Sequence, residues 1–306
     1  MGGTRNAPNF AAVIKLVECP RDAMQGLREF IPTEDKIDYL NLLLQVGFDT
    51  LDFGSFVSPK AIPQMADTRE VLAGLNLKDS KSKLLAIIGN ARGAEDAVEY
   101  EQIKFLGFPF SISETFQRRN LNSSIEDSLK RIGEIQAIAR SNDKQLVVYI
   151  SMGFGNPYDE PWSADIVGNW AEKLANMGIR TIALADTIGV ANPESITYLF
   201  EHLIPTYPEV EFGAHFHTTP DTWLEKIDAA YKAGCKRYDG AIMGFGGCPM
   251  AKDDLTGNMA TENILQYMEN QGESLGLDKI ALRDAFRMAL RILPGADYQL
   301  ANWLIS

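Results

Sequence analysis

The sequence predicts an α/β protein: a TIM-type (β/α)8 barrel with extra helical segments at its C-terminal end. Three observations predict it. Apolar, β-branched runs alternate with amphipathic helical stretches along the chain. Eight such runs recur at a spacing of roughly 30 residues, which suits a barrel of about 250 residues. No Gly-x-Gly-x-x-Gly follows the first run, so the competing open sheet that binds dinucleotides lacks its phosphate-binding turn. The 306 residues contain no Gly/Ser linker, low-complexity tract or shift in composition, and residues 1–306 are expected to form a single catalytic barrel domain.

The elements follow in order. VIKLVE (13–18) opens the barrel. A helix with Thr33 as its expected cap, Ile37, Leu40 and Leu44 as its apolar face and Gly47 as its stop leads to FDTLDF (48–53). LLAII (84–88) and IKFLGFPFS (103–111) come next. Ser123 with Glu126 reads as a capping box ahead of Ile125, Leu129, Ile132 and Ile135, and the chain returns in LVVYIS (146–151). Ile166, Trp170, Leu174 and Met177 fall at helical spacing before Gly178 and RTIALA (180–185). Asn192-Pro193 and Thr219-Pro220 each set a capping residue before a proline, and precede helices leading to VEFGAHFH (210–217) and KRYDGAIM (236–243). Residues beyond about 260 supply the last helix and further segments such as 280–292.

Composition excludes several functions. A formal charge of -12 argues against general nucleic-acid binding, which needs Lys and Arg against phosphate. No apolar run reaches 18 residues, so no membrane span is expected. The opening MGGTRNAPNF lacks the charged head and apolar region of a secretory signal, and a cytoplasmic location is expected. Cys19, Cys235 and Cys248 are odd in number and far apart, which argues against a disulfide framework. A homo-oligomer, dimer or higher, is expected.

In a barrel of this type the chemistry sits at the C-terminal ends of the strands. Glu18, Arg21 and Asp22 follow the first strand, Asp52 and Ser55 the second, Asp186 and Thr187 the sixth, and His215 and His217 the seventh. The eighth runs into GFGGCPMAKDDLTGN. Side chains two apart on a strand share a face, with Cα atoms about 6.5–7 Å apart, so both imidazoles can reach one ion. Asp22 is the natural charged oxygen ligand. A mixed nitrogen and oxygen set suits Mg²⁺, Mn²⁺ or Zn²⁺ and leaves positions open for substrate oxygens. Arg21 either pairs with Glu18 or Asp52, or stands over the metal and stabilises a developing enolate. Cys248 follows Gly244, Gly246 and Gly247, and is either inert packing or an acid/base thiol on a loop able to move.

At these residues the sequence resembles the 3-hydroxy-3-methylglutaryl-CoA lyases, a family of barrel metallolyases. The resemblance covers nearly the whole chain and is carried by PRDAMQ (20–25), GSFVSPKAIPQMAD (54–67), ADTIGVANP (185–193), AHFHTT (214–219) and GFGGCPMAKDDLTGN (244–258). It implies a divalent cation, Mg²⁺ or Mn²⁺ ahead of Zn²⁺, held by Asp22, His215, His217 and Asn258. It implies that Arg21 steadies a thioester enolate, that Cys248 lies on a catalytic loop and that an acyl-CoA is the substrate. The implied reaction is retro-Claisen cleavage of (S)-3-hydroxy-3-methylglutaryl-CoA to acetoacetate and acetyl-CoA, with the base open among Asp52, Asp186 and His215. Gln25, Ser55 and Thr187 are expected on the substrate side.

The chain departs from the family pattern at Asp52, where Glu is usual, at Cys19 for Gly, at Ala23-Met24 after Asp22, and at Ala183 for Ser. Lys60 and the pair Arg118-Arg119 are candidate cations for CoA by position alone. Two rivals are a Claisen synthase of isopropylmalate or citramalate type and a metal-binding barrel without catalysis. The synthases usually carry a further C-terminal regulatory domain and an acidic residue soon after the first motif.

Overall fold

A strand that is apolar on both faces has to be covered on both. In this protein the eight runs cover one another inside a closed barrel and are covered outside by helices. The structure is a computed structural model and describes residues 13–247 and 256–293. Its elements are β1 (Lys15–Glu18), α1 (Pro20–Gln25), α2 (Thr33–Val46), β2 (Thr50–Ser55), α3 (Thr68–Ala73), β3 (Lys83–Ile87), α4 (Ala91–Val98) and β4 (Ile103–Ser111). They continue with α5 (Glu114–Leu121), α6 (Ile125–Ser141), β5 (Gln145–Ser151), α7 (Ala164–Asn176), β6 (Thr181–Asp186), α8 (Pro193–Thr206), β7 (Glu211–Thr218) and α9 (Trp223–Lys232). β8 (Arg237–Gly240), β9 (Gly257–Asn258), α10 (Thr261–Asn270) and α11 (Lys279–Ile292) complete the set. β1 to β8 pair in parallel with their neighbours, and β6–β7 and β1–β8 pairings close the ring, giving the expected TIM barrel. No helix among the described residues is long and apolar enough to cross a membrane.

Local boundaries differ from expectation in four places. Thr33 is the first residue of α2 and does not cap it; its hydroxyl donates to Asp67 (2.9 Å), which also takes the buried Lys36 ammonium (2.8 Å). The cap of α6 is Ser124, one residue after the expected Ser123, and it accepts from the Asp127 N–H. α9 starts at Trp223, because Thr219 is tied by its N–H to the Thr222 hydroxyl in a turn of its own. Arg21 and Asp22 lie on α1, a short helix that starts directly behind β1, and not on a strand end. The Asn192–Ser195 capping box of α8 is present as the Asn-Pro pair predicts.

The barrel interior has two unlike halves. Leu85, Ile87, Phe105, Val147, Tyr149 and Ala183 from β3 to β6 form an apolar cluster separate from the strand–helix core. The facing wall, from β7, β8, β1 and β2, carries His215, Arg237, Asp239, Cys19 and Asp52. Above it, two buried carboxylates grip the turn that leaves β8. Glu18 accepts from the Ile242 N–H (2.8 Å) and the Thr261 hydroxyl, while both Glu262 oxygens accept from the Met243 N–H (2.9 and 3.0 Å).

Two glycines report on this packing with opposite signs. A Cβ at Gly107 would stand 2.5 Å from Ile87 Cδ1 and 3.3 Å from Tyr149 Cε2 inside the barrel, so Gly107→Ala should destabilise by about 1–3 kcal/mol. Gly168, in α7 with nothing near its missing Cβ, should gain about 0.5–1 kcal/mol on replacement by Ala. Denaturant unfolding of the two variants checks both, and equal effects would refute the packing. The carboxylates supply a second prediction. Burial pushes Glu18 up to about 8 and Glu262 to about 7, above the ordinary value of 4.5. The folded chain therefore holds more protons than the unfolded chain across that interval, and stability falls as pH rises through it. Glu18→Gln, able to keep both hydrogen bonds, should flatten the loss of unfolding free energy between about pH 5 and pH 8; an unchanged slope would reject the assignment.

Candidate active site

The site begins where β1 turns into α1. Cys19 and Pro20 make the corner, and α1 presents Arg21 and Asp22 from its first turn and Gln25 from its last residue. Arg21 is the hub. Its Nη1 donates to Asp22 (2.8 Å) and Gln25 (2.9 Å), and its Nε and Nη2 clasp the carboxylate of Asp52 on β2 (Nε–Oδ2 3.0 Å). Of its two anticipated partners, Arg21 takes Asp52 and leaves Glu18 to the turn after β8. Burial lifts Asp52; Arg21 opposes that, Asp22 and Asp239 add to it, and the net value is about 6. Burial also acts on Asp22, but Arg21, His215 and the Asn258 amide outweigh it and bring the carboxyl down to about 2.

β7 contributes His215 and His217, with ring centroids 5.6 Å apart. β9 lies antiparallel to β7 and sets Asn258 opposite His217. The Asn258 amide donates to Asp22 Oδ2 (2.7 Å) and to the Phe245 carbonyl (2.8 Å), which leaves its own carbonyl oxygen for another partner. Asp22, His215 and His217 each offer an atom within 4.8 Å of the others. His217 Nδ1 is buried and has no hydrogen-bond partner among the described residues, and burial, with His215 beside it, pushes the ring down to about 4, so it is neutral. Two imidazoles and a carboxylate with an orphaned nitrogen among them are a donor set that fits a divalent cation.

Arg21, Asp22, Gln25, Thr187, His215 and His217 line a cavity of about 170 Å³ whose remaining wall is largely apolar, from Val57, Ile62, Ile87, Phe116, Leu121 and Tyr149. Of the other anticipated residues, Asp52, Ser55 and Asp186 stand outside its lining, while Thr187 lines it with its hydroxyl already engaged. Asp52 is behind Arg21. Ser55 donates to the Ile87 carbonyl (3.3 Å) and faces a neighbouring cleft with Arg69 and Asn90. The Thr187 hydroxyl accepts from the Met152 N–H (2.8 Å). Asp186 takes the Lys226 ammonium (2.7 Å) and the N–H groups of Val190 and Ala191, and burial raises its pKa. Cys248 lies outside the described residues. Arg118 pairs with Glu114 and Arg119 stacks over Tyr158, both at the surface.

Sequence reasoning missed Lys226 and Asp239. Lys226 is buried and donates to Asp186, to the Gly189 carbonyl and to the His217 carbonyl (2.9 Å), so it ties the sixth strand end to the seventh. Nothing in its helix distinguishes it from a surface lysine. Asp239 did leave a signal, since KRYDGAIM alternates Arg237 and Asp239 on one face of an otherwise buried strand. Asp239 forms a second cluster with His215 and Cys19. That cluster does not reach the cavity wall except through His215, and burial, reinforced by Asp239 and Asp52, keeps the Cys19 thiol protonated. The Asp22 set is therefore the better seat for an ion.

Known proteins resemble this chain over most of its length. Residues 14–288 match the HMGL-like family. The 3-hydroxy-3-isohexenylglutaryl-CoA/hydroxy-methylglutaryl-CoA lyase of Pseudomonas aeruginosa is 35% identical over 93% of this chain and 94% of its own. The hydroxymethylglutaryl-CoA lyase of Bacillus subtilis is 35% identical over 82% and 83%. An HMG-CoA lyase from Acinetobacter baumannii, solved with coenzyme A and 3-methylmalate, superposes with a TM-score of 0.85 at 33% identity, covering 93% of this chain and 92% of that one. The carboxyl transferase domain of Rhizobium etli pyruvate carboxylase shares the fold alone, at 17% identity and a TM-score of 0.69. The chain belongs to the HMGL-like family and is a carbon–carbon lyase.

Proposed function

We propose that the protein is a divalent-metal-dependent lyase of the cytoplasm that cleaves (S)-3-hydroxy-3-methylglutaryl-CoA to acetoacetate and acetyl-CoA, with Mg²⁺ or Mn²⁺ as the ion. The observation that carries the reading is the meeting of Asp22, His215 and His217 beside the Arg21–Asp52 pair at the wall of one cavity. The Acinetobacter relative was solved with coenzyme A, which supports an acyl-CoA substrate here. Asp22, His215 and His217, with the carbonyl oxygen of Asn258, would hold the cation, which supplies Lewis-acid polarisation of the substrate hydroxyl and carboxylate.

The chain's own groups do the rest. Removing the hydroxyl proton at C3 breaks the C2–C3 bond and expels the thioester enolate, so the site needs a proton acceptor and a cation for the enolate oxygen. Asp22, near 2, is too weak a base, and Asp186 is committed to Lys226 and two backbone N–H groups. Asp52, near 6, matches neutral pH. As Arg21 turns from Asp52 toward the developing enolate, it stabilises that charge and uncovers the carboxylate. We assign Cys248 the return of a proton to the enolate carbon, on the resemblance of its loop. The apolar side of the cavity also favours a second reading, a longer alkyl group at C3, as in the first substrate named for the Pseudomonas relative.

Purified protein with Mg²⁺ or Mn²⁺ should release acetoacetate from 3-hydroxy-3-methylglutaryl-CoA and stop on chelation; comparing longer 3-alkyl esters by kcat/KM decides the acyl group. Consumption of acetyl-CoA with an oxo acid, and no acetoacetate, would assign the protein to the synthases. Asp52→Asn should lower kcat by about 10²–10⁴ while Asp52→Glu preserves it, and a full-rate Asn variant would remove Asp52 from the reaction.

A further inference from the structure

Beneath the Asp22–His215–His217 cluster the barrel interior carries charge that no role assigned so far uses. Arg237 and Asp239 lie two residues apart on β8, in register with Gly213 and His215 of β7. Asp239 Oδ2 is 3.2 Å from His215 Nδ1, and the carboxylate is almost wholly buried. Arg237, also buried, spans the interior from Glu211 (Nη1–Oε2 3.7 Å) to Asp239 (Nε–Oδ1 4.0 Å). Its stem crosses Gly213, where a Cβ would stand 2.9 Å from Arg237 Cδ, so the glycine makes room for it. On the other side of the His215 ring, Tyr149 packs edge-on at 5.5 Å.

This arrangement is costly. Asp239 Oδ1, Arg237 Nε and Nη2, and the Tyr149 hydroxyl are buried without a hydrogen-bond partner among the described residues. Each such group costs on the order of 1–3 kcal/mol. The facing wall, with Leu85 and Val147, fills the same kind of space with hydrocarbon, which is what stability alone would select. Among the described residues, the side chain of the site that the Asp239 carboxylate meets at hydrogen-bond distance is His215.

We propose that Asp239, backed by Arg237, is the positioning residue of the metal centre. It accepts the Nδ1–H of His215, which fixes the ring's orientation and tautomer and leaves the Nε2 lone pair for the cation shared with Asp22 and His217. The proposal rests on reading those three residues as ligands. A carboxylate behind a ligating imidazole fixes the tautomer of the neutral ring, so that the other nitrogen keeps its lone pair, and raises that nitrogen's basicity. It also answers why His215 appears in two clusters: the upper one takes the ion, and the lower one orients the ring.

The test uses the chain's low histidine count, which is three. Nitrogen NMR of protein labelled with ¹⁵N-histidine, metal-free and at about pH 8, should show His215 as the Nδ1–H tautomer. Asp239→Ala should lose that preference and bind Mn²⁺ about 10–100-fold more weakly by calorimetry. Asp239→Asn keeps an acceptor but not the charge, and should fall between. A wild-type ring protonated at Nε2 would overturn the proposal whatever the variants do, as would Asp239→Ala with unchanged tautomer and Mn²⁺ affinity. If Asp239→Ala does not fold, the wild-type tautomer and the Asn variant still decide. Wild-type protein that binds no Mn²⁺ would instead sink the ligand assignment, an outcome separate from the tautomer result.

Discussion

A buried guanidinium has to be surrounded by acceptors, and the Arg21 side chain organises the mouth of this barrel for that reason. Its Nε, Nη1 and Nη2 groups reach Asp22, Gln25 and Asp52, which belong to two different elements. Removing one partner of such a set leaves a charge in a medium that cannot solvate it, at a cost of several kcal/mol. The strand order is thus coupled to the site: β2 must lie beside β1 for Asp52 to meet Arg21, and Asp22 is then aimed at β7. The same contacts set the acidities, since one positive charge divides itself between a carboxyl near 2 and another near 6. Two carboxylates of the same residue type, a few ångströms apart, are made different by which of them burial dominates.

The seventh strand end is held from two sides by residues that never reach the cavity. Lys226 fixes the His217 backbone to the sixth strand through Asp186, and Asp239 stands behind the His215 ring. Two side chains on an open strand end do not hold a geometry to within about 0.5 Å alone, and supporting contacts of this kind are what confer it. β9 adds a third brace, carrying Asn258 to His217 across an antiparallel pairing of only two residues.

Much of this was legible in the sequence, for identifiable physical reasons. The barrel was legible because strand and helix periods differ and repeat, and Ile103–Ser111 matches its apolar run residue for residue. His215 and His217 were legible because ionisable groups at strand ends are rare in a packed core, and Arg21 and Asp22 because they follow directly behind the first apolar run, although they sit on a short helix. The failures have a common cause in contacts distant along the chain. Thr33 yields its capping role to a contact with Asp67, 34 residues away, and Lys226 is buried by a partner 40 residues away. β9 has no period to detect, since two residues cannot show one. Asp239 was visible as an alternation in its strand, but its meaning depends on the register that sets it opposite His215.

The division of the interior into an apolar and a charged wall explains why one barrel can do both things asked of it. Leu85, Ile87, Phe105 and Val147 supply burial without polar cost on β3 to β5. The charged wall from β7 round to β2 carries the atoms of Arg237 and Asp239 that have no partner among the described residues and the raised pKa of Asp52, each of which works against stability. Charges gathered on one wall also lower each other's cost, because Arg21 and Arg237 sit among Asp22, Asp52 and Asp239 in a region where water does not screen them. Spread evenly around the barrel, the same five groups would each meet hydrocarbon: the carboxyls would take up protons and the guanidiniums would be left without a counter-charge. The asymmetry of the interior is therefore a condition for the chemistry, and it also fixes which strand ends can hold the site.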